Sequence, residues 1–239
     1  MDRVVLVTGS TSGIGEVTAR RFADEGDVVV FNSAHSVQRG AELAGLVPGS
    51  HYVQADVSQP EDCARLVATV LERCGRLDVL VNNAGTTRVI DHRDLAAADV
   101  AVWREIFEVN VFGTWGVTVA AMEALRASHG SIVNVSSLAG VRPTGSSIPY
   151  AASKAALNHL TVLLAKAVGP HVRVNAVAPG LIDTPWTAHW DDVRSYVTSR
   201  APLQRSGTPA DVAEVIMFLA GAAYVTGEVV LVDGGLHTI

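Results

Sequence analysis

The chain opens on a pattern that few folds accommodate. Arg3-Val-Val-Leu-Val-Thr8 is a short, apolar, β-branched run; it passes straight into Gly9-Ser-Thr-Ser-Gly13-Ile-Gly15 and from there into helical periodicity over Glu16 to Glu25. A strand apolar at every position predicts burial on both faces, as in a parallel sheet. Parallel strands need crossover connections, usually helices. Strand, glycine-rich turn and helix in immediate succession form a dinucleotide cradle. The glycines allow a tight turn and close backbone approach to a pyrophosphate, whose charge is favoured at the helix N-terminus. The spacing is G-x-x-x-G-x-G rather than the commoner G-x-G-x-x-G, and a glycine turn at such a place can also be a plain connector.

The rest of the chain alternates strand and helix patterns. Strands are predicted at Val28–Asn32, Ser50–Gln54, Val79–Asn82, Ser131–Ser136, Val172–Ala176 and Val229–Val232, and helices near 12–25, 36–46, 60–74, 99–127, 150–168 and 209–221. Such alternation predicts an α/β fold: a doubly wound, Rossmann-type parallel sheet covered by helices on both faces, in a single domain over residues 1–239. With 49% apolar and 18% charged residues, the chain has ample material for one large core. Only residues 181–207 lack clear periodicity. They follow a strand at the C-terminal edge of the sheet, where ligands bind in open α/β folds. Trp186, Trp190 and Tyr196 in this segment suggest an apolar substrate lid, the alternative being packing on the core or on a neighbouring subunit.

A net charge of −6 and a pI near 5.7 argue against nucleic acid or an anionic membrane as partner. Met1-Asp-Arg3 followed by a strand lacks the features of a signal peptide, and no apolar run approaches the roughly 18 residues of a membrane span. Cys63 and Cys74 fall eleven residues apart in one predicted helix, about 16 Å along its axis, which is too far for a disulfide. A reduced, cytoplasmic protein is expected, with no metal site.

Tyr150 and Lys154 stand four residues apart, with Ser137 thirteen residues before the tyrosine. Residues at i and i+4 share a helix face. A phenol titrates near 10 when unperturbed, and a neighbouring cation favours the phenolate, bringing it toward a range useful for acid/base work. Tyr-x-x-x-Lys alone is common on helix surfaces. Here it occurs with Thr8-Gly-Ser-Thr-Ser-Gly-Ile-Gly15, Asn82-Asn-Ala-Gly85, Asn110 in Val-Asn-Val, Ser137, and Pro179-Gly180, in one order at mutually consistent spacings. As a set these motifs resemble the short-chain dehydrogenase/reductase family in its compact single-domain form, from residue 3 to Val232-Asp-Gly-Gly235.

The resemblance implies an oxidoreductase that moves a hydride between a nicotinamide cofactor and a carbonyl or secondary alcohol. Reduction of a carbonyl builds negative charge on oxygen, so the site needs a proton donor and a hydrogen-bond donor aimed there. By similarity Tyr150 is the acid/base. Lys154 lowers its pKa and bonds the nicotinamide ribose, Ser137 polarises the carbonyl, and Asn110 holds a water that links Lys154 to solvent. The cofactor-binding set implied is Gly9, Ser10, Thr11, Ser12, Gly13, Ile14 and Gly15 in the turn, Ser33, Asp56 and Val57 toward adenosine, Asn83, Ala84 and Gly85 after the fourth strand, Tyr150 and Lys154, and Pro179, Gly180, Ile182 and Thr184 on the nicotinamide side. Asn82 and Asn175 are expected to serve the sheet.

The family's NAD-preferring members carry an Asp at the end of the second strand; Ser33 stands there, and Ser33, His35 and Arg39 could take a 2′-phosphate. NADP(H) is therefore favoured, with NAD(H) possible because Ser12 replaces a basic residue that many NADP enzymes carry. The nearest overall look is that of the β-ketoacyl-acyl-carrier-protein reductases. However, Gly169-Pro170-His171 occupies the turn where those enzymes place a carrier-docking Arg, although Arg126 survives near the other docking region. A small, apolar carbonyl or alcohol is the favoured substrate, with a 3-oxoacyl-carrier-protein reductase or an NAD-dependent alcohol dehydrogenase as alternatives. A cofactor-sensing regulatory protein is the non-enzymatic alternative, against which the complete set Asn110, Ser137, Tyr150 and Lys154 argues. Family resemblance also implies a homotetramer.

Overall fold

The computed structural model describes residues 3–239. Among them, β1 (Val4–Val7), β2 (Val28–Ser33), β3 (His51–Gln54), β4 (Val79–Asn82), β5 (Ser131–Val135), β6 (Arg173–Pro179) and β7 (Val229–Val232) form one parallel sheet in the order β3-β2-β1-β4-β5-β6-β7. The direction of winding reverses between β1 and β4, which pair Val5 with Val79 and Val7 with Val81. The alternation of strand and helix thus yields the doubly wound fold predicted from the sequence, in a single domain.

The strands read as continuous apolar runs because both faces are buried. Val4 and Leu6 of β1 point into one core with Leu80 and Ile132, under α3 (Pro60–Cys74), α5 (Thr114–Ala127) and α6 (Ile148–Val168). Val5 and Val7 point into the other with Phe31, Val133 and Val177, under α1 (Gly13–Asp24), α2 (Val37–Leu46) and α8 (Pro209–Gly221). At about 25 cal/mol per Å² of apolar area, these two layers are the main stabilising term. They also fix the C-terminal strand ends that carry the site.

Three departures from the sequence reading matter for that site. The predicted helix 99–127 is α4 (Val100–Phe107), a π-helical segment Glu108–Gly113, and α5 in succession. The buried positions Ile106, Asn110 and Thr114 recur every four residues, slower than the 3.6 of an α-helix, and the wider π turn keeps them on one side. Next, β6 runs on through the buried Val177, Ala178 and Pro179, because β5 and β7 flank it on both sides. Finally, segment 181–207 contains a helix, α7 (Asp191–Arg200); its sequence Asp-Asp-Val-Arg-Ser-Tyr-Val-Thr-Ser-Arg buries only Val197 and so carries no apolar stripe to announce it. No helix among the described residues is long and apolar enough to cross a membrane.

Candidate active site

The turn after β1 is shaped by its neighbours. Gly9 lies in the left-handed region at φ +62°, and a Cβ there would stand 2.8 Å from the Ala84 Cα. Asn83 donates through Nδ2 to the carbonyls of Thr8 at 2.9 Å and Gly9 at 2.8 Å, while the Thr8 hydroxyl accepts from the N–H groups of Asn83 and Ala84. Asn32, at the end of β2, receives the Gly9 N–H on Oδ1 and donates to the carbonyls of Val53 and Ala55. The loops after β1, β2, β3 and β4 are thus tied together by buried amides. Ser12 begins α1 without a side-chain cap, leaving first-turn N–H groups available to an anion.

These loops open onto a cavity of about 880 Å³ along the C-terminal edge of the sheet, large enough for a dinucleotide and a substrate together. Most of the predicted binding residues line it: Gly9, Thr11, Ser12, Gly13 and Ile14; Ser33, Asp56 and Val57; Asn83, Ala84 and Gly85; Pro179, Gly180, Ile182 and Thr184. Ser10 and Gly15 stand behind the wall. Ser10 is fully buried and its hydroxyl accepts the Asn32 N–H, and a Cβ on Gly15 would meet Asn83 Nδ2 at 2.4 Å, so both serve the scaffold. Arg39 is drawn away from the adenosine end by Glu16, 2.8 Å from its guanidinium, whereas Ser33, His35 and Ser36 remain on the wall. The Ser33 hydroxyl shares a 2.9 Å hydrogen bond with the Tyr52 hydroxyl. With this positive-φ turn, an uncapped helix start and a cavity of dinucleotide size, the residues present fit a nicotinamide dinucleotide.

At the other end of the cavity Ser137, Tyr150 and Lys154 come together. Ser137 follows β5 and caps a short turn by accepting the Ala139 N–H. Ser147 caps α6, accepting the Tyr150 N–H at 3.3 Å, and so sets Tyr150 in the first turn of the helix. One turn on, Lys154 is buried, with Nζ 2.8 Å from the Val135 carbonyl and 5.8 Å from the centre of the Tyr150 ring. Burial pushes the Tyr150 phenol up, and a hydrogen bond with the Ser137 side chain pulls it down. Burial also lowers the Lys154 ammonium to about 8. Burial thus dominates the phenol, and the Ser137 hydrogen bond, not the expected depression by Lys154, is what opposes it.

Asn110 lies behind this trio rather than on the cavity wall. Its Oδ1 accepts the Thr86 N–H at 2.8 Å, and its Nδ2 donates to the Thr86 carbonyl and the Ser153 hydroxyl, both at 3.0 Å. Ser153 in turn donates to the Tyr150 carbonyl at 2.7 Å. Thr86, Ser147 and Ser153 were not singled out from the sequence. Only Ser147, a Ser three residues before Tyr150 with Pro149 between them, carried a helix-cap signal. Asn82 donates to Asn134 and Thr118, and Asn175 to the Val225 carbonyl, the sheet-tying roles expected of them.

In segment 181–207, Trp186, Trp190 and Tyr196 line the cavity instead of packing on the core. The ring of Trp186 stands edge-on to that of Tyr150, with centroids 6.5 Å apart. Thr184 approaches the glycine turn, its Cγ2 3.3 Å from where a Cβ on Gly13 would be.

Comparison with known proteins agrees with this geometry. A family model described as enoyl-(acyl carrier protein) reductase matches residues 9–237. The chain is 58% identical over 240 residues to a protein named ketoacyl reductase 2 of the granaticin polyketide synthase of Streptomyces violaceoruber, covering 99% of this chain and 96% of that protein. It is 40% identical over 243 residues to the 3-oxoacyl-[acyl-carrier-protein] reductase FabG of Thermotoga maritima, covering 98% of this chain and 97% of the relative. Among solved structures, ElxO with NADP bound superposes with a TM-score of 0.92 at 30% identity, over 100% of both chains.

Proposed function

The chain belongs to the short-chain dehydrogenase/reductase family, and from that premise we propose that it is an NADP(H)-dependent ketoreductase with Tyr150 as acid/base. The observation that carries this reading is the convergence of Ser137, Tyr150 and Lys154 on one wall of the cavity that the glycine-rich turn opens. Gly9, Thr11, Ser12, Gly13 and Ile14 would hold the pyrophosphate and Asp56 and Val57 the adenine, with Pro179, Gly180, Ile182 and Thr184 beside the nicotinamide. The nicotinamide, when bound, supplies or takes up the hydride.

The protein's own groups manage the oxygen. The raised phenol of Tyr150 is protonated at neutral pH, so its hydroxyl can donate to the carbonyl oxygen as negative charge builds there. Ser137 donates a second hydrogen bond to the same oxygen and orients it. Lys154, titrating near 8, can be charged or neutral close to physiological pH and so can resupply the proton that Tyr150 gives up. Asn110 and Ser153 fix the backbone of Tyr150 and of the loop at Thr86 around this exchange. In oxidation the same groups act in reverse. Segment 181–207 serves as an apolar lid whose aromatic rings exclude water from the substrate end. Exposed Phe112 in the π-helical segment and Trp115 and Val119 on α5, with Val162 and Leu163 on α6, offer the apolar helix faces for a homotetramer.

The preference for NADP(H) rests on Ser33 at the end of β2, where no carboxylate opposes a 2′-phosphate, and on His35 and Ser36 on the same wall. A fluorescence-quench titration and steady-state kinetics with NADPH and NADH side by side test it; a kcat/KM with NADH at or above that with NADPH overturns it. Kinship with the granaticin ketoacyl reductase favours a second reading of the substrate, a β-ketoacyl or polyketide thioester. Faster reduction of an acetoacetyl thioester than of a simple cyclic ketone would select it.

A further inference from the structure

Beyond β7 the chain folds back on itself around one buried carboxylate. The Asp233 side chain is 2% exposed. Its Oδ1 accepts the Gly235 N–H at 3.0 Å, its Oδ2 accepts the His237 N–H at 2.7 Å, and His237 Nδ1 lies 3.0 and 2.9 Å from the two oxygens. Charge-assisted bonds of this kind, made away from water, are strong, and losing them leaves a buried charge uncompensated. They fix a short helical turn, Leu236–Thr238, that carries Leu236 to the cavity wall.

Three contacts locate this turn at the substrate end. A Cβ on Gly180 would lie 2.9 Å from the Asp233 Cβ, so the turn abuts the strand end assigned to the nicotinamide side. Arg142, in the loop that follows Ser137, donates through Nη2 to the His237 carbonyl. At the far end of the 181–207 segment, the Leu203 N–H donates to the Gly234 carbonyl at 3.1 Å, and Pro202 would meet a Cβ on Gly235 at 2.8 Å. The turn that carries Leu236 is therefore held between the loop after Ser137 and the end of the segment bearing Trp186, against the strand end at Gly180.

We infer that Leu236 is a specificity-determining residue. Its side chain is the apolar stop that sets how large a substrate fits with its carbonyl at Tyr150 and Ser137, and Asp233 is the positioning residue that holds this stop through the His237 turn. The inference rests on the ketoreductase reading above. A hydrophobic pocket discriminates by about tenfold or more per methylene-sized change, so an apolar side chain on this wall should move a size ratio measurably.

The test compares kcat/KM for trans-1-decalone and cyclohexanone, with NADPH, in three variants. Leu236→Trp should lower the decalone-to-cyclohexanone ratio by about tenfold or more, and Leu236→Ala should raise it several-fold, a milder change that decides the matter if the tryptophan variant misfolds. Asp233→Asn should shift the ratio in the native background but not in the Leu236→Ala background, because it acts only through the position of Leu236. General damage to the fold would instead depress both ketones alike in both backgrounds. A ratio unchanged by both Leu236 substitutions overturns the assignment of Leu236, and an Asp233→Asn shift that persists without Leu236 overturns the positioning role. If the unaltered enzyme turns over neither ketone, the same size ratio is read with a short and a long 3-oxoacyl thioester, and absence of turnover of all four overturns the ketoreductase reading itself.

Discussion

Replacing Asn110 with alanine should separate architecture from chemistry at this site. The side chain is fully buried and makes three hydrogen bonds, two of them to the N–H and carbonyl of Thr86 and one to the Ser153 hydroxyl. Asn110→Ala strands both Thr86 groups. Buried and unsatisfied, each would cost about 1–3 kcal/mol; Thr86 is only partly buried, so water recovers some of that loss. Ser153 keeps its bond to the Tyr150 carbonyl and loses little. The expected destabilisation is about 2–4 kcal/mol, which for a chain of this size lowers Tm by roughly 4–16 °C. Urea unfolding monitored by circular dichroism, with the m-value compared between variants, measures it directly. Turnover should also fall, because the tie between the loop at Thr86 and α6 is gone. A change in stability below about 0.5 kcal/mol, the level of an ordinary surface substitution, would refute the reasoning and leave Asn110 with no structural share in the site.

Other outcomes follow from the same geometry. Tyr150→Phe removes the proton donor and should cost about 10² to 10⁴ in kcat, while NADPH still quenches fluorescence with an affinity close to that of the native protein; loss of binding would mean that the hydroxyl holds the cofactor as well as moving the proton. Lys154 is charged below about 8 and loses its proton above it, so affinity for the anionic cofactor should weaken as pH rises through that value. Quench titrations between pH 6.5 and 9.5 would show this inflection, and Lys154→Met should abolish it. Gly9→Ala places a Cβ in a left-handed backbone and 2.8 Å from the Ala84 Cα. It should destabilise by at least about 1–2 kcal/mol and weaken NADPH binding, and a variant with native melting and affinity would show that the turn adapts.

Elements whose boundaries are set by local chemistry were readable in advance. The limits of α3 and α8 match the sequence reading because Pro60 and Pro209 suit a first helical turn, and because Gly75, at φ +74°, ends α3 in a conformation that glycine adopts freely. The β-branched runs of β4 and β7 were equally plain. Tyr150 and Lys154 could be grouped because four residues make one helix turn, and Ser137 through the family resemblance, yet the balance of the pKa shifts could not, since it depends on burial within the fold. Long-range partnerships were likewise out of reach. That Asn83 also holds the Thr8 and Gly9 carbonyls, and that Arg39 pairs with Glu16, depends on contacts between segments that the sequence does not display. The helix α7 stayed hidden because almost nothing in it is buried, and Leu236 because only the Asp233 turn carries it to the cavity.

The π segment between α4 and α5 adds a constraint on length as well as on residue type. An α-helix turns about 100° per residue, and a π turn accommodates one more residue than the α winding on either side of it. Deleting one residue within Glu108–Gly113 would let the helix rewind as α while α5 stays joined and in phase, but Asn110 would lose its place opposite Thr86 and Ser153. A one-residue deletion here thus preserves the phase of the helix but gives up the Asn110 bonds on which the site is built. In any alignment of related chains, a gap across these six residues would mark a protein that keeps the fold but has given up this arrangement of the site.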